Sequence, residues 1–264
     1  NYRVERFFGG FVPWQLRDIP LRRETDGNGL NGYRPAAERD RADTPTFRYW
    51  PGTHSQITYS KTALWLNTLE RHLGWETLQR IMKTYFERWK FRHPRPEDFF
   101  AVANEVSGRD LTWFFDQVYR SSNVFDYAVE NLESARLQTR GFTDAGPNQP
   151  AYRESTSPDR YRTSVVVRRL GEAIFPVDVL ITFDNGDEVR EKWDGVDRWN
   201  TFSYERASRA RTAAVDPERV LLLDVNYTNN SRTLAPESDA AAVKWSLKWM
   251  VWLQDLMLTW GFFV

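Results

Sequence analysis

Tyr59 heads the run Ile57-Thr58-Tyr59-Ser60-Lys61-Thr62-Ala63-Leu64-Trp65-Leu66, at the point where a helical pattern begins. A phenol placed there has two readings. It can donate a hydrogen bond to an oxygen that gains negative charge during a reaction, or it can be a half-buried core residue with a satisfied hydroxyl. Lys61 reads as structural, on the solvent side of the same turn. The three histidines, His54, His72 and His93, carry little metal chemistry. None has a second histidine four residues away, and no His-Glu-x-x-His occurs, so each reads as a surface or satisfied histidine. Glu97-Asp98 reads as helix N-terminal charge, and Asp184 with Asp187 as hairpin residues, both structural rather than calcium ligands. There is no phosphate-binding loop and no Gly-x-Ser-x-Gly. Without cysteine, thiol nucleophiles, thiolate metal sites and disulfides are excluded.

The elements that must position these residues follow from periodicity. Residues 1–55 are rich in Gly, Pro, Arg and Asp, with turn signals at Gly9-Gly10, Gly27-Asn28-Gly29 and Trp50-Pro51-Gly52. Recurring aromatics make this stretch ordered coil packed on something. From 56 to 122 the period is helical. Tyr59, Ala63, Leu66, Leu69 and Leu73 share one face, and Gly74 stops the helix. Leu78, Ile81, Met82, Tyr85, Phe86 and Trp89 have the spacing of a buried stripe on a second helix. His93-Pro94-Arg95-Pro96 breaks the chain. A third helix starts at Glu97-Asp98, with Phe99, Phe100, Ala103 and Val106 inward, and Ser107-Gly108 ends it. Asp110 caps a last short helix through Leu111, Phe114, Phe115 and Val118.

Beyond Ser121-Ser122-Asn123 the period turns toward two. Expected strands are 124–137, 161–169, 174–183, 187–193, 199–204, 211–215 and 219–225, with 140–160 a long loop. Asp184-Asn185-Gly186-Asp187 is a hairpin signal. Short strands without intervening helices predict an antiparallel β-sandwich over 123–232. Residues 233–264 are a linker and a tryptophan-rich amphipathic helix. On a helical wheel Lys244, Lys248, Asp255 and Thr259 form a narrow polar stripe, opposite Trp245, Trp249, Trp252, Leu256 and Trp260. The uncharged run after Asp255 falls short of the roughly 20 apolar residues a bilayer span needs. An aspartate at bilayer centre costs about 2.5–3.5 kcal/mol. Tryptophans suit the interfacial zone, so a helix lying on a membrane surface fits, and so does a helix packed on neighbouring protein. The first of these points to a membrane-associated or extracytoplasmic location.

The chain has 264 residues, 41% hydrophobic and 27% charged, which is globular composition. Lys plus Arg equals Asp plus Glu at 36 each, and the arginines are scattered, so nothing points to nucleic acid. The chain opens on Asn1 with no signal-like start, which reads as a processed or truncated product.

A family resemblance rests on these residues: Ile57-x-Tyr59-x-Lys61-x-Ala63, then Leu66, Leu69 and Gly74, then Tyr85, then Pro96-x-Asp98-Phe99, then Ser107-Gly108-x-Asp110-Leu111-x-x-Phe114-Phe115. The string resembles the aminopeptidase N (membrane alanyl aminopeptidase) family of gluzincin zinc metallopeptidases. It is similar to the part of those enzymes immediately after the zinc-binding helices, where a Tyr-x-Lys-Gly-Ala motif opens a helix. Thr62 departs from the family's usual glycine and bears on how closely that turn packs. The resemblance implies an α+β fold: the C-terminal helices of a thermolysin-like catalytic domain, a β-sandwich and the tryptophan helix. It also implies peptide hydrolysis, with zinc in the intact protein held by an upstream His-Glu-x-x-His helix and glutamate, and none held by residues of this chain. Tyr59 is then the catalytic residue that donates to the oxyanion of the tetrahedral intermediate.

Two readings of function follow. In the first, the chain is the C-terminal portion of a zinc aminopeptidase-like metallopeptidase, inactive alone, acting on peptide substrates in the intact protein. A degenerate member that lost its zinc motif is a variant of this reading, and the start at Asn1 favours truncation over it. In the second, the chain is a non-enzymatic helical and β-sandwich module that binds a membrane surface or a partner protein through Trp245, Trp249, Trp252 and Trp260.

Overall fold

The computed structural model describes residues 26–137 and 160–260. The 140–160 loop and the Gly9-Gly10 turn expected from sequence lie outside the described residues. Two compact units are present. One takes in the described residues up to Ser122 together with those from Pro236 on, and the other is Asn123–Ala235. The chain is α+β, with helices in the first unit and antiparallel sheets in the second.

The helical unit begins with α1 (Asp26–Tyr33). This corrects the expectation of coil with a turn at Gly27-Asn28-Gly29. Glycine costs a helix about 1 kcal/mol per residue relative to alanine, so local propensity argues against α1. Burial of Leu30 (5% exposed) and Tyr33 (0%) overrides it. The Trp50-Pro51-Gly52 turn does form: the Thr53 N–H donates to Trp50 O at 3.1 Å, with Gly52 at φ 85°. That is type II geometry, which needs a residue tolerant of positive φ in Gly52's place. A π-helical turn, Gln56–Lys61, then runs directly into α2 (Thr62–Leu73). Gly74 at φ 86° ends α2 and opens α3 (Trp75–Trp89). The helices α4 (Pro96–Ser107) and α5 (Thr112–Val118) follow. The Asp98 carboxylate accepts from the Arg95 N–H at 2.7 Å at the start of α4, and Gly108 closes α4 in the left-handed region. Leu111 rather than the expected Asp110 is the N-cap of α5; Asp110, one residue earlier, accepts from the Thr112 N–H through Oδ1 at 2.9 Å.

An aromatic cluster fills the space between these helices. Phe100 and Phe115 stack at 4.2 Å between ring centroids, and Trp65 meets Phe115 edge-on at 6.1 Å. Two expected faces are corrected. The buried side of α2 is Leu64, Trp65, Thr68, Leu69 and Glu70, while Leu66 and Leu73 are half-buried and Ala63 is exposed. The extra residue in the preceding π turn shifts the phase that a uniform 3.6-residue period assumes. On α3 only Leu78 and Ile81 are buried, and Met82 and Phe86 are exposed.

The second unit holds a three-stranded sheet in the order β1-β2-β5 and a four-stranded sheet in the order β4-β3-β6-β7. The strands are β1 (Tyr127–Arg136), β2 (Tyr161–Arg169), β3 (Val177–Phe183), β4 (Glu188–Trp193), β5 (Trp199–Arg206), β6 (Ala210–Val215) and β7 (Ser231–Thr233). All pairings between these strands are antiparallel. Burial alternates along β2 and β3, so Val165, Val167, Val179 and Ile181 are inside. The β3–β4 hairpin turns at Asp184-Asn185-Gly186, with Gly186 at φ 87°. Tyr127 is fully buried, and its hydroxyl donates to Phe175 O (2.9 Å) and accepts from Phe175 N (2.7 Å). Arg169 is 5% exposed and donates to the carbonyls of Gly195, Gly171, Glu172 and Val196, stapling the end of β2 to two loops.

The expected strand 219–225 is also corrected. Leu221, Leu222 and Leu223 are buried, yet the Asp216 carboxylate takes the N–H groups of Val220 (2.8 Å) and Leu221 (2.9 Å). Those donors are therefore lost to a ladder, and a single bridge, Phe125 to Asp224, remains. The last strand is instead β7, whose three residues are polar and exposed. The terminal helix α6 (Ser238–Trp260) forms as the sequence predicts.

Candidate functional site

Ile57 and Lys61 are both fully buried, four residues apart on the π turn, and Tyr59 between them is turned outward with 70% of its surface exposed. The turn is anchored at its N-terminal side by Asp40. Its Oδ2 accepts from the Trp50 N–H (3.0 Å) and from the Thr53 hydroxyl, and Thr53 O in turn accepts from the Ile57 N–H (2.9 Å). On one flank α1 lies so close that a Cβ added to Gly32 would stand 2.8 Å from Ser60 Oγ. Glycine at 32 is what allows this approach.

Beneath the turn, Lys61 Nζ donates to Ser121 O at 3.0 Å and stands 6.0 Å from the centroid of the Tyr33 ring. The expectation that Lys61 sits on the solvent side is therefore wrong. Its position four residues after Ile57 and three before Leu64 places it in the inward stripe, and that spacing was the available signal. Burial pulls the Lys61 ammonium down to about 8, against the opposing pull of the Asp43 charge. Burial raises the Tyr33 phenol well above its ordinary range, and its hydroxyl has no hydrogen-bond partner among the described residues. The resulting arrangement holds an exposed phenol on a turn fixed from three sides. Single π turns in helices are frequent at functional sites.

The histidines are not brought together. His54 meets Tyr49 edge-on at 5.4 Å and is exposed, as is His93. His72 meets Trp113 at 6.1 Å, and its imidazole is pulled down by burial and then by the Arg109 charge. Among the described residues no group of three or more His, Cys, Asp or Glu side chains is placed to hold a metal ion. The residues here do not fit a zinc centre. A cavity of about 500 Å³ lies in the sheet unit, lined by Arg168, Leu170, Arg198 and Trp199 among others, and Tyr59 is not part of it. Trp245, Trp249 and Trp252 of α6 are each more than half exposed, and the Trp249 and Trp252 rings meet edge-on at 5.2 Å. The side chain of Trp260 lies outside the described residues. No helix among the described residues is long and apolar enough to cross a membrane.

An α+β chain with a tyrosine presented on a π turn is the class that fold and site define. No family model matches it. Over 97 residues the chain is 31% identical to aminopeptidase M1-D and 32% identical to aminopeptidase M1-C, both of Oryza sativa subsp. japonica. Each alignment covers 34% of this chain and 11% of the relative, so the chain spans about a tenth of the length of these curated relatives. Among solved structures, aminopeptidase A of Legionella pneumophila in complex with aspartic acid is similar at a TM-score of 0.45 and 14% identity. That match covers 80% of this chain and 23% of the other. The sequence similarity supports a distant aminopeptidase-like relationship.

Proposed function

We propose that this chain is the C-terminal portion of a zinc-dependent aminopeptidase-like metallopeptidase, in which Tyr59 stabilises the oxyanion formed at the scissile carbonyl. The helical unit is read as the last helices of a thermolysin-like catalytic domain, and the two sheets as the β-sandwich that follows. Zinc, when bound in the intact protein by residues outside this chain, supplies Lewis-acid chemistry. The chain's own residues supply orientation and one donor. The observation that carries the reading is the exposed Tyr59 on a turn whose flanking Ile57 and Lys61 are buried. A phenol held this way needs no rearrangement to meet developing charge, so its bond strengthens in the transition state rather than on substrate binding. By itself the 264-residue chain binds no zinc and hydrolyses nothing. The test is a peptidase assay of the longer protein that contains these residues, with and without Tyr59→Phe. Turnover that ignores the substitution refutes the role.

A second reading is favoured by α6. Its exposed Trp245, Trp249 and Trp252 suit the interfacial zone of a bilayer, so the helix is proposed to lie on a membrane surface.

A further inference from the structure

The loop after β6 returns a surplus of buried oxygen acceptors to the start of β1. Asp224 is fully buried. Its Oδ1 accepts from the Asn226 N–H (2.9 Å), and its Oδ2 from the Tyr127 N–H (3.1 Å) and Asn230 Nδ2 (2.9 Å). All three donors are neutral. The charged group that bears on Asp224 is another carboxylate, Asp126, and burial pushes the Asp224 carboxyl up to about 6. Burial raises Asp126 too. A buried carboxylate is normally matched by a cation or a metal. Here the charge of Asp126 opposes that of Asp224, and neither carboxylate takes part in an ion pair among the described residues.

Two amides complete the cluster. Asn229 Nδ2 donates to Asp126 Oδ1 (2.8 Å), as Asn230 Nδ2 does to Asp224. On both amides Oδ1 is buried with no hydrogen-bond partner among the described residues, and Asn230 as a whole is 7% exposed. The backbone of both residues is also fixed: Asn229 O accepts from the Val129 N–H (2.9 Å) and Asn230 O from the Val215 N–H (2.7 Å). Buried amide oxygens are rarely left unmatched, so a pair of them held against two carboxylates calls for a positive partner.

We propose that Asp126, Asp224, Asn229 and Asn230 form a calcium site that clamps the 224–230 loop to the start of β1. The donor set is all oxygen, which suits a hard cation and disfavours zinc, whose sites draw on nitrogen and sulfur. Amide and carboxylate oxygens on irregular backbone fit calcium's adaptable coordination better than the strict octahedron of magnesium. Ligation through Oδ1 leaves both Nδ2 bonds in place. Only two of the four groups are acids, so sequence spacing alone does not announce the site. It is independent of the peptidase reading.

The experiment is thermal melting of the 264-residue chain stripped with EDTA, then titrated with CaCl₂ or MgCl₂. Calcium is expected to raise the midpoint by several degrees, saturably, with magnesium weaker. Asn230→Ala also removes a bond to Asp224 and can unfold the loop, so the deciding variant is Asp126→Asn, which keeps shape and loses charge. It should weaken the calcium response at least about tenfold, and terbium titration followed by aromatic-sensitised luminescence should show the same loss. No calcium shift, or an equal shift in Asp126→Asn, overturns the proposal and leaves the amide oxygens to water.

Discussion

Lys61 Nζ lies 3.0 Å from the carbonyl oxygen of Ser121, sixty residues further along the chain. The bond ties the π turn that carries Tyr59 to the segment following α5. A buried ammonium is costly unless it is matched, and here the match is one carbonyl, the Tyr33 ring face and the charge of Asp43.

The first prediction concerns pH. Folded Lys61 titrates at about 8 against 10.5 for the free side chain. Between those values the unfolded chain holds more protons, so stability rises with pH there and is flat below about 8. The unfolding free energy of wild type should gain roughly 1–2 kcal/mol from pH 8 to 9.5 relative to Lys61→Met. Parallel profiles for the two proteins would show that Lys61 is not held protonated at a cost.

Gly32→Ala separates propensity from packing. Helix propensity alone favours alanine by about 1 kcal/mol, whereas overpacking costs about 1–3 kcal/mol. With Ser60 Oγ 2.8 Å from the added Cβ, net destabilisation is expected. Ser60→Ala in the same chain should restore most of it in a double-mutant cycle. A Gly32→Ala protein as stable as wild type would mean that α1 does not press on Ser60.

On the proposed oxyanion role, Tyr59→Phe in the longer protein that contains these residues should lower kcat about 10²–10³-fold, or roughly 2.7–4 kcal/mol, with KM little changed. Melting should be unaffected, because the hydroxyl is on an exposed side chain. A fall in stability matching the fall in rate would mark a packing residue instead.

Tyr127→Phe removes the hydroxyl that both donates to and accepts from Phe175. It removes two buried hydrogen bonds at once, so urea denaturation should show a loss of about 1–3 kcal/mol. A neutral result would mean that Phe175 finds other partners.

Deleting residues 237–264 should release the protein from anionic vesicles in a sedimentation assay if α6 lies on a membrane surface. Partitioning that survives the deletion assigns α6 to protein packing.

Much of the helical unit was legible because its stops are local. Gly74 and Gly108 take positive φ where the pattern ends, and Asp98 and Asp110 bond to N–H groups within three residues. The β3–β4 hairpin was legible for the same reason, through Asn185-Gly186. Tyr59 is marked by its motif, but the orientation that exposes it is not, since the expected face places it inward with Leu69.

What the sequence determined by itself is therefore the class of most segments and many of their ends. Period and capping act over a few residues, and those residues are adjacent in the chain. Tertiary structure decided the rest. It made α1 a helix despite three glycines in eight residues, because Leu30 and Tyr33 gain more from burial than the backbone loses. It turned Lys61 inward, through a carbonyl sixty residues away. It also diverted 219–225 from the sheet, because the Asp216 carboxylate took the N–H groups that a neighbouring strand would have needed. Local spacing marks Lys61 as inward and places Asp216 near 219–225, but only the folded backbone brings the Ser121 carbonyl to one and the carboxylate onto the N–H groups of the other.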